Sequence, residues 1–342
     1  MKKKCTIGII GLGKFGTLSA TILSQHANVE AYHYKDNVEI RSRAKKTGTK
    51  LVDLRTVMKN DVVILTVPIA KTKEMIKKIA PLAQKDTLIV DACSVKVFPC
   101  RWLKKYISKR IQIMGTHPMF GPVTTKFNLD KKYWELENKQ VVLCPLRIKK
   151  ENLEKIIKFL KSLGLIVIVT TPEDHDKQNA KTLSFVHFVG RSFTKAGIGE
   201  QKIFTPGYAD LLKIIPHTND DKWQLFCDMN NFNPYSEKVR EKFHKAGEEL
   251  IEGLIKSKSV DKFDFNRNMI DTIDKEILDL LERRFKYVKQ IGKIKKKNGL
   301  KIADKKRENE IISKRIKQTK LNKNFIEKLY KLIFNEAYKG QE

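Results

Sequence analysis

The sequence predicts an α/β domain followed by two all-α domains. Short apolar runs alternate with amphipathic helical stretches up to about residue 170, which is typical of a doubly wound parallel sheet. Beyond that point apolar residues recur every three or four positions, and a long helical repeat begins near residue 262. We therefore predict domains at residues 1–170, 171–261 and 262–342.

The individual elements of the first domain follow from its apolar runs. The predicted strands, each bounded by turn residues or a helical stretch, cover residues 6–10, 29–34, 61–68, 87–91, 111–114, 141–144 and 165–169. A helix is expected around residues 72–80, and another around 151–163. Helices between successive strands favour parallel strand order, with ligands at the carboxyl ends of the strands.

Composition indicates whether the chain is globular, spans a membrane, or depends on disulfides or metal ions. Hydrophobic residues make up 41% of the 342 residues, which is enough for globular domains with real cores. The apolar runs are all shorter than the roughly eighteen residues of a membrane span, so none is predicted. Five scattered cysteines without a CxxC pair favour reduced thiols in a cytoplasm, and no metal site.

The high positive charge has two interpretations. A formal net charge of +30 is compatible with nucleic-acid binding. The lysines, however, are spread along the whole chain without interleaved aromatic residues or a basic tail. We therefore interpret most of them as solvated faces, expect some to line sites for anionic ligands, and predict no nucleic-acid partner.

A glycine-rich turn follows the first predicted strand. The hexapeptide Gly11-Leu12-Gly13-Lys14-Phe15-Gly16 joins that strand to a helix, which is the context of a Rossmann domain. Its glycines allow a tight turn and let a pyrophosphate approach the helix N-terminus. We assign these six residues, together with Thr66 on the strand at 61–68, to a dinucleotide cofactor site.

The end of the second strand bears on the choice of cofactor. Proteins that bind NAD usually carry an acid there, whereas Lys35 occupies that place in this chain, with Arg41 and Arg43 nearby. A cation suits the 2′-phosphate of NADP, so NADP is the predicted cofactor. Asp36 follows directly and keeps NAD possible.

Polar side chains also follow two later strands. Ser94 and Lys96 lie in the exit loop after residue 91, and His117 lies in the segment Gly115-Thr116-His117-Pro118-Met119-Phe120-Gly121-Pro122, which we interpret as a turn. Histidine is the side chain whose ordinary pKa suits proton transfer near neutral pH. His117 is therefore a candidate catalytic residue. A structural histidine bonded to backbone, and a helix-capping Ser94, are the alternatives.

The predicted helical domain carries three further candidates. His175 lies in the first turn of a helix that Thr171 caps, and it is expected to face back toward the sheet. His187 and Arg191 are four residues apart, so they share one face of an apolar helix. That pair suits a substrate carboxylate, and the alternative is a salt bridge between helices.

The last domain begins with a helix of about thirty residues, roughly 45 Å long. No small domain can cover such a helix, so a partner chain is expected. Arg284 and Lys295 lie on one stripe of this helix, which is also compatible with a solvated face. Asp304 is expected to cap a second helix at about 305–317, and a third is expected at about 323–339.

The N-terminal motifs resemble those of prephenate/arogenate dehydrogenases. The similarity covers the Gly11–Gly16 turn, the segment from Asp91 to Lys96 and the His117 segment, and it extends to His175, His187 and Arg191 in an all-helical substrate and dimer domain. The resemblance implies that His117 polarises the ring 4-hydroxyl while hydride leaves the same carbon for NAD(P)+. It further implies that Ser94 assists, and that Asp176 is a candidate partner for the amine of arogenate.

The C-terminal residues resemble all-helical chorismate mutases. The residues that match in order and spacing are Arg267, Arg284, Lys295, Asp304, Arg307, Glu308 and Gln341. The resemblance implies that the arginines hold the two carboxylates of chorismate, and that Arg267 reaches into the partner's site. Lys295 and Gln341 would stabilise the ether oxygen as its bond breaks, and Glu308 would meet the ring hydroxyl. Ala337 stands where a serine is usual.

Together these patterns predict a bifunctional enzyme of tyrosine biosynthesis. Its mutase would convert chorismate to prephenate, and its dehydrogenase would oxidatively decarboxylate prephenate or arogenate. We expect a cytoplasmic homodimer that acts on small molecules, without a membrane or nucleic-acid partner. One alternative is another two-domain NAD(P)-dependent hydroxy-acid dehydrogenase with a helical dimerisation tail. A basic nucleic-acid-binding protein is the other.

Overall fold

A computed structural model describes residues 5–122, 124–128, 133–257, 262–299 and 304–339. The chain divides into two compact units, Met1–Glu248 and Glu249–Glu342. The predicted domain boundaries near residues 170 and 261 stay predictions. None of the helices described is long and apolar enough to cross a membrane.

The first unit combines a large sheet with helices. Its strands are β1 (Thr6–Ile10), β2 (Asn28–Tyr32), β3 (Lys50–Leu51), β4 (Val62–Leu65), β5 (Leu88–Asp91), β6 (Gln112–Pro118), β7 (Phe127–Asn128), β8 (Tyr133–Trp134), β9 (Gln140–Arg147) and β10 (Ile166–Val169). Helices alternate with these strands: α1 (Lys14–Leu23), α2 (Val38–Thr47), α3 (Leu54–Val57), α4 (Ile69–Ile79), α5 (Val97–Tyr106) and α6 (Lys150–Ser162). The α/β fold predicted for this region is therefore confirmed.

The eight-stranded sheet has the order β10-β9-β6-β5-β4-β1-β2-β3. Its strands from β3 to β6 run parallel, but β9 pairs antiparallel with β6, and β10 is parallel to β9. The prediction of a fully parallel sheet is wrong at this edge. Between β6 and β9 the described chain forms the short hairpin β7–β8 and no crossover helix, so the chain returns in the opposite direction.

Two strand boundaries differ from prediction in ways that affect the site. Strand β2 ends at Tyr32 rather than Tyr34, so Lys35 follows it by three residues. His117 lies on β6, paired with Val142 of β9, and does not lie on a turn. Gly115 and Pro118 are typical of turns, but pairing with β9 overrides that local preference.

The sheet is covered on both faces, as its apolar strands require. Ile9, Ile10, Leu65, Ile89 and Ile113 are all buried. Parallel strands that are buried on both faces read as continuous apolar runs in the sequence, which is why they could be predicted.

The rest of the first unit is helical. Its helices are α7 (Pro172–Lys181), α8 (Leu183–Lys195), α9 (Pro206–Leu212), α10 (Ile214–Asn219), α11 (Trp223–Asn231) and α12 (Ser236–Ser257), the last of which extends beyond residue 248. Thr205 caps α9 by accepting from the amide of Tyr208 at 3.3 Å. Helix α7 contacts α5 and α8, and α11 contacts α4.

The second unit holds α13 (Lys262–Lys297), α14 (Lys305–Ile316) and α15 (Lys323–Lys339). Helix α13 has 36 residues and is about 54 Å long, which exceeds the predicted length. Helix α15 contacts both α13 and α14. Along α13 the side chains of Ile270, Ile273, Ile277, Ile291 and Ile294 are about half exposed, so a continuous apolar stripe faces outward within this unit.

Candidate functional site

The glycine-rich turn has the geometry that a dinucleotide needs. Gly11 has φ 109°, a conformation that favours glycine, and α1 begins at Lys14. A Cβ at Gly16 would lie 1.9 Å from the carbonyl oxygen of Gly11, so no larger residue fits there. The Thr66 hydroxyl donates to that same carbonyl at 2.5 Å. Gly13, the N-cap, gives α1 no side-chain cap, which leaves amides for a pyrophosphate.

The three cationic residues that follow β2, Lys35, Arg41 and Arg43, differ in their contacts. Asp36 accepts two bonds from Arg41, at 2.7 and 2.9 Å, which occupies the acid that would otherwise suit a ribose. Arg43 donates to the carbonyl of Leu12 at 3.1 Å and is also paired with Glu39. The ammonium of Lys35 lies 5.6 Å from the centre of the Tyr34 ring. Arg43 therefore contacts the glycine-rich turn directly, while Lys35 is exposed to solvent.

His117 is buried at the carboxyl end of β6. Its Nδ1 lies 2.9 Å from Nε2 of His175, and the two rings meet edge to face. Within the described part of the chain its Nε2 has no hydrogen-bond partner. Burial lowers the pKa of His117 well below 6.5, and the charges of His175 and Lys96 lower it further. The predicted orientation of His175 toward the sheet is confirmed.

His175 is held in turn by Asp176. Nδ1 of His175 lies 2.7 Å from Oδ1 of Asp176, which also accepts from the amide of Lys96 at 2.7 Å. The other oxygen accepts from the amide of Val97 at 2.8 Å, at the start of α5. Asp176 is fully buried. Its carboxylate is occupied by donors of its own chain, so the expectation that it meets a substrate amine is wrong.

Lys96 and Asp91 form a buried ion pair beneath the site. Both side chains are completely inaccessible, and the Lys96 ammonium donates to Asp91 and, at 2.6 Å, to the carbonyl of Thr116. Burial alone would lower the pKa of Lys96, but the charge and hydrogen bond of Asp91, together with the nearby thiols of Cys100 and Cys93, raise it overall. The pair fixes the strand just before His117.

Ser94 lies in the loop between β5 and α5. Its hydroxyl is buried and has no hydrogen-bond partner among the described residues. Asn179 donates to the Ser94 carbonyl at 2.7 Å, and its own Oδ1 is buried without a partner. Asn179 was not among the site residues predicted from the sequence. The available signal was its spacing of four residues from His175, which places both on one face of α7.

His187 and Arg191 face a different set of partners. His187 Nε2 lies 3.6 Å from the carboxylate of Asp221, and Arg191 donates to the Asp221 carbonyl at 2.6 Å. The Arg191 guanidinium also stacks over Trp223 and Phe226. These contacts correspond to the inter-helix alternative, and a substrate role for either residue stays a prediction. Burial lowers the pKa of His187, although Asp221 raises it in part.

The second unit gathers several of the predicted mutase residues. The Arg284 guanidinium lies 5.5 Å from the Phe334 ring, and its Nη1 is buried without a described partner. One Glu308 oxygen is likewise buried and unpaired, while the other accepts from Lys305 at 3.3 Å. Burial lowers the pKa of Arg284. Each of these two side chains therefore has one buried polar atom without a described partner, which leaves it available to a ligand.

The remaining mutase residues are only partly defined. Asp304 caps α14 by accepting from the Arg307 amide at 3.0 Å, as predicted. Arg307 is exposed on α14, Lys295 is half-buried on α13, and Arg267 is exposed near the start of α13. Gln341 lies outside the described residues. Neither unit, in its described part, holds three or more His, Cys, Asp or Glu residues placed to bind a metal ion.

Comparison with protein families addresses both parts of the chain. The model for the nucleotide-binding domain of prephenate dehydrogenase matches residues 19–169, and the model for type II chorismate mutase matches residues 266–342. The chain therefore combines a prephenate dehydrogenase domain with a type II chorismate mutase domain. A third model, the TYRAAT1-like C-terminal domain, matches residues 192–266. The predicted family and enzyme class are confirmed.

Similar proteins agree with this assignment. The chain is 27% identical over 252 residues to arogenate dehydrogenase 2 of Arabidopsis thaliana, covering 72% of this chain and 69% of the relative. It is 28% identical over 231 residues to a probable arogenate/prephenate dehydrogenase of Methanocaldococcus jannaschii, covering 64% of this chain and about half of that protein's length (49%).

Solved structures support the fold. A prephenate dehydrogenase from A. aeolicus, in complex with hydroxyphenyl propionate and NAD+, superposes with a TM-score of 0.59 at 21% identity, covering 82% of this chain and 98% of that one. Arogenate dehydrogenase of Synechocystis gives a TM-score of 0.56 at 18% identity, covering 79% and 98%. At these identities the likeness concerns the fold alone.

Proposed function

We propose that this chain catalyses two steps of tyrosine biosynthesis: rearrangement of chorismate to prephenate, and oxidative decarboxylation of prephenate or arogenate with a nicotinamide cofactor. The observation that carries the dehydrogenase proposal is His117. It is buried at the carboxyl end of β6, and one ring nitrogen is open to a ligand. The glycine-rich turn, Thr66 and Ser94 follow β1, β4 and β5, which are parallel to β6, so all belong to one edge of the sheet.

The dehydrogenase step needs an acceptor for the proton of the ring hydroxyl. In the proposed reaction His117 accepts that proton while hydride leaves the ring carbon that bears the hydroxyl. The nicotinamide ring, when bound, supplies the hydride acceptor. Loss of carbon dioxide then leaves an electron pair that makes the ring aromatic, and His117 returns the proton to the oxygen. The hydroxyl of Ser94 assists His117 at the ring hydroxyl of the substrate. A neutral imidazole is required, which agrees with the lowered pKa of His117.

NADP is the proposed cofactor. Arg43 contacts the Leu12 carbonyl inside the glycine-rich turn, and Asp36, which directly follows Lys35, is paired with Arg41. A cation at this turn and an unavailable acid both favour a 2′-phosphate over free ribose hydroxyls. Lys35 adds a second positive charge nearby.

In the mutase step no chemical group is transferred between the enzyme and its substrate. Electrostatic stabilisation and a fixed substrate conformation suffice for a pericyclic rearrangement. We assign carboxylate binding to Arg284, Arg307 and the partner's Arg267. Lys295 and Gln341 would stabilise the breaking ether bond, and Glu308 would meet the ring hydroxyl. The half-buried Arg284 and Glu308, each with an unpaired atom, support this assignment.

One panel of assays tests both activities. Purified protein is incubated with chorismate alone, and with prephenate or arogenate in combination with NAD+ or NADP+. We expect chorismate loss without a cofactor, and NADPH formation with one of the other two substrates. Oxidation of a simple hydroxy acid with no reaction on any of these substrates would instead favour the alternative hydroxy-acid dehydrogenase.

A homodimer completes the proposed mutase site. Arg267 precedes Arg284 by seventeen residues on α13, a distance of about 25 Å, and it lies about 100° round the helix. It therefore lies too far away to share one compact site with Arg284 in the same chain. The outward apolar stripe of α13 supports pairing with a second copy, which would bring the partner's Arg267 to the site.

Complementation between two inactive variants tests this arrangement. Arg267→Ala and Lys295→Ala should each nearly abolish mutase activity, since truncating one partner of a charge pair that becomes buried in the ligand-bound dimer typically costs about 2–5 kcal/mol. In a mixed dimer one site carries both changes and the other carries neither. With random pairing about a quarter of all sites should recover. Mixed dimers isolated with two affinity tags but lacking activity would contradict the shared site.

A further inference from the structure

The two nitrogens of His117 have different environments. Nδ1 shares a hydrogen bond with Nε2 of His175, and Nε2 has no described partner. Between two neutral imidazoles this bond contains one proton, which belongs either to His117 or to His175. If the proton is on His117 Nδ1, then Nε2 carries a lone pair and accepts hydrogen bonds. If it is on His175, His117 Nε2 is protonated and can only donate.

The carboxylate of Asp176 decides between these two states. Its oxygens accept from the amides of Lys96 and Val97, which are fixed donors at the start of α5. The same carboxylate lies 2.7 Å from Nδ1 of His175, and because a carboxylate is an acceptor, this ring nitrogen donates to it. Neutral His175 then has a lone pair on Nε2. It accepts from Nδ1 of His117, whose Nε2 is left unprotonated.

The surrounding charges favour a neutral His117 ring. His117 and His175 are both buried, and the Lys96 ammonium is held at the Thr116 carbonyl, directly before His117. Asp91 pairs with Lys96, and Asp176 is bonded to His175. The negative charges thus have their own partners, and a positive charge on His117 would be repelled by Lys96 in a desolvated site. The lowered pKa of His117 agrees with this arrangement.

We propose that His175 and Asp176 are positioning residues that fix the tautomer of His117, with the proton on Nδ1 and a lone pair on Nε2. The catalytic role of these hydrogen bonds from Asp176 through His175 to His117 rests on the proposed dehydrogenase function, in which the proton of the ring hydroxyl needs an acceptor. The tautomer itself is a property of the free protein. It can therefore be tested whether or not the proposed substrate reacts.

The direct test is the nitrogen spectrum of the histidine rings. The chain has only seven histidines, so ring-¹⁵N labelling and long-range proton–nitrogen correlation give a small set of signals. His117 is assigned from the spectrum of His117→Asn. The measurement is made at a pH well above the ordinary histidine pKa of 6.5. We expect His117 to be protonated at Nδ1 alone. A wild-type ring protonated at Nε2, or at both nitrogens, would overturn the proposal.

Two substitutions of Asp176 separate positioning from packing. Asp176→Ala removes the acceptor of His175, so His117 should become a mixture of tautomers and kcat should fall about tenfold or more, with a smaller change in KM. Asp176→Asn retains one oxygen that can accept from His175 and from the Lys96 amide but loses the acceptor of the Val97 amide, so it should keep the tautomer of His117 at a cost in stability. An unchanged His117 spectrum in Asp176→Ala would show that the carboxylate does not set the tautomer.

Asp228→Ala is the matched control. Asp228 is also buried and accepts from the Ala70 amide at 3.1 Å in the first turn of α4, and its described side-chain hydrogen bonds, to Ala70 and Gln224, do not involve a histidine. This variant should lose stability while the His117 tautomer and the shape of the pH–rate profile stay unchanged. Should Asp176→Ala fail to fold, His175→Phe removes the acceptor of His117 without touching the α5 cap. A pure Nδ1–H tautomer of His117 in that variant would equally overturn the proposal.

Discussion

Replacing Lys96 by methionine should sharply destabilise the first unit. The Asp91–Lys96 pair is completely buried, so Lys96→Met leaves a carboxylate in a site without water. Asp91 would retain one hydrogen bond, from the amide of Cys93 at 3.0 Å, and its Oδ2 already lacks a described partner. Removing one partner of a buried ion pair typically costs about 3–5 kcal/mol. For a unit of this size that is a fall in Tm of about 6–20 °C.

Tryptophan fluorescence provides a selective readout of this loss. The three tryptophans, Trp102, Trp134 and Trp223, all belong to the first unit, so thermal unfolding followed at their emission reports that unit alone. Lys71→Met is the control, because Lys71 forms a pair with Glu74 at 3.4 Å in which both side chains are about two-thirds exposed. Exposed pairs contribute about 0–1 kcal/mol, so Tm should barely change.

A double variant identifies the cause of the destabilisation. If the loss in Lys96→Met comes from the unpaired Asp91 carboxylate, then adding Asp91→Leu should recover a large part of it, since an apolar pair of similar volume often replaces a buried ion pair without loss. A single variant that costs less than about 1 kcal/mol would refute the argument. So would a double variant less stable than Lys96→Met, since packing and not charge would then dominate.

Three further predictions concern the dehydrogenase. His117→Asn should lower kcat by about 10²–10⁴ and leave the mutase rate unchanged, as measured on the two substrates separately. NADP+ should be preferred, and Lys35→Asp should shift the ratio of kcat/KM toward NAD+ by roughly ten- to a hundredfold; a wild type that uses NAD+ equally well would contradict this. Because the pKa of His117 is lowered, kcat/KM should persist as pH falls through 6.5 and decline only at lower pH, and a limb above 6.5 would contradict the neutral buried ring.

The sequence predicted the individual strands and helices better than it predicted which of them pack or pair with each other. The strands β1, β4 and β5 are short apolar runs that only a sheet buried on both faces explains, and the Asp304 cap is a local signal. The antiparallel pairing of β9 was not predictable in this way. It depends on whether the chain between β6 and β9 forms a crossover helix, and the segment carries no clear periodicity for either outcome.

The candidate site shows the same division. His117, Ser94 and His175 could be proposed because each is a chemically suitable residue beside a predicted strand end or helix start. Their partners could not, because Asp176 and Asn179 are ordinary polar residues whose roles arise only when α7 packs near the β5–α5 loop. Asp176 was accordingly interpreted as a substrate contact, although its carboxylate is consumed by backbone amides and His175.

Helix α7 therefore links the assembly of the site to the packing of the helical region. Within ten residues it carries His175 against His117, Asp176 against the first amides of α5, and Asn179 against the Ser94 carbonyl. Asp176 and His175 are adjacent, and Asn179 is one turn further on, so a single displacement of the helix would lengthen all three sets of contacts together. Contacts coupled in this way are lost or kept together. His117 is therefore correctly positioned for catalysis only when α7 is in its place.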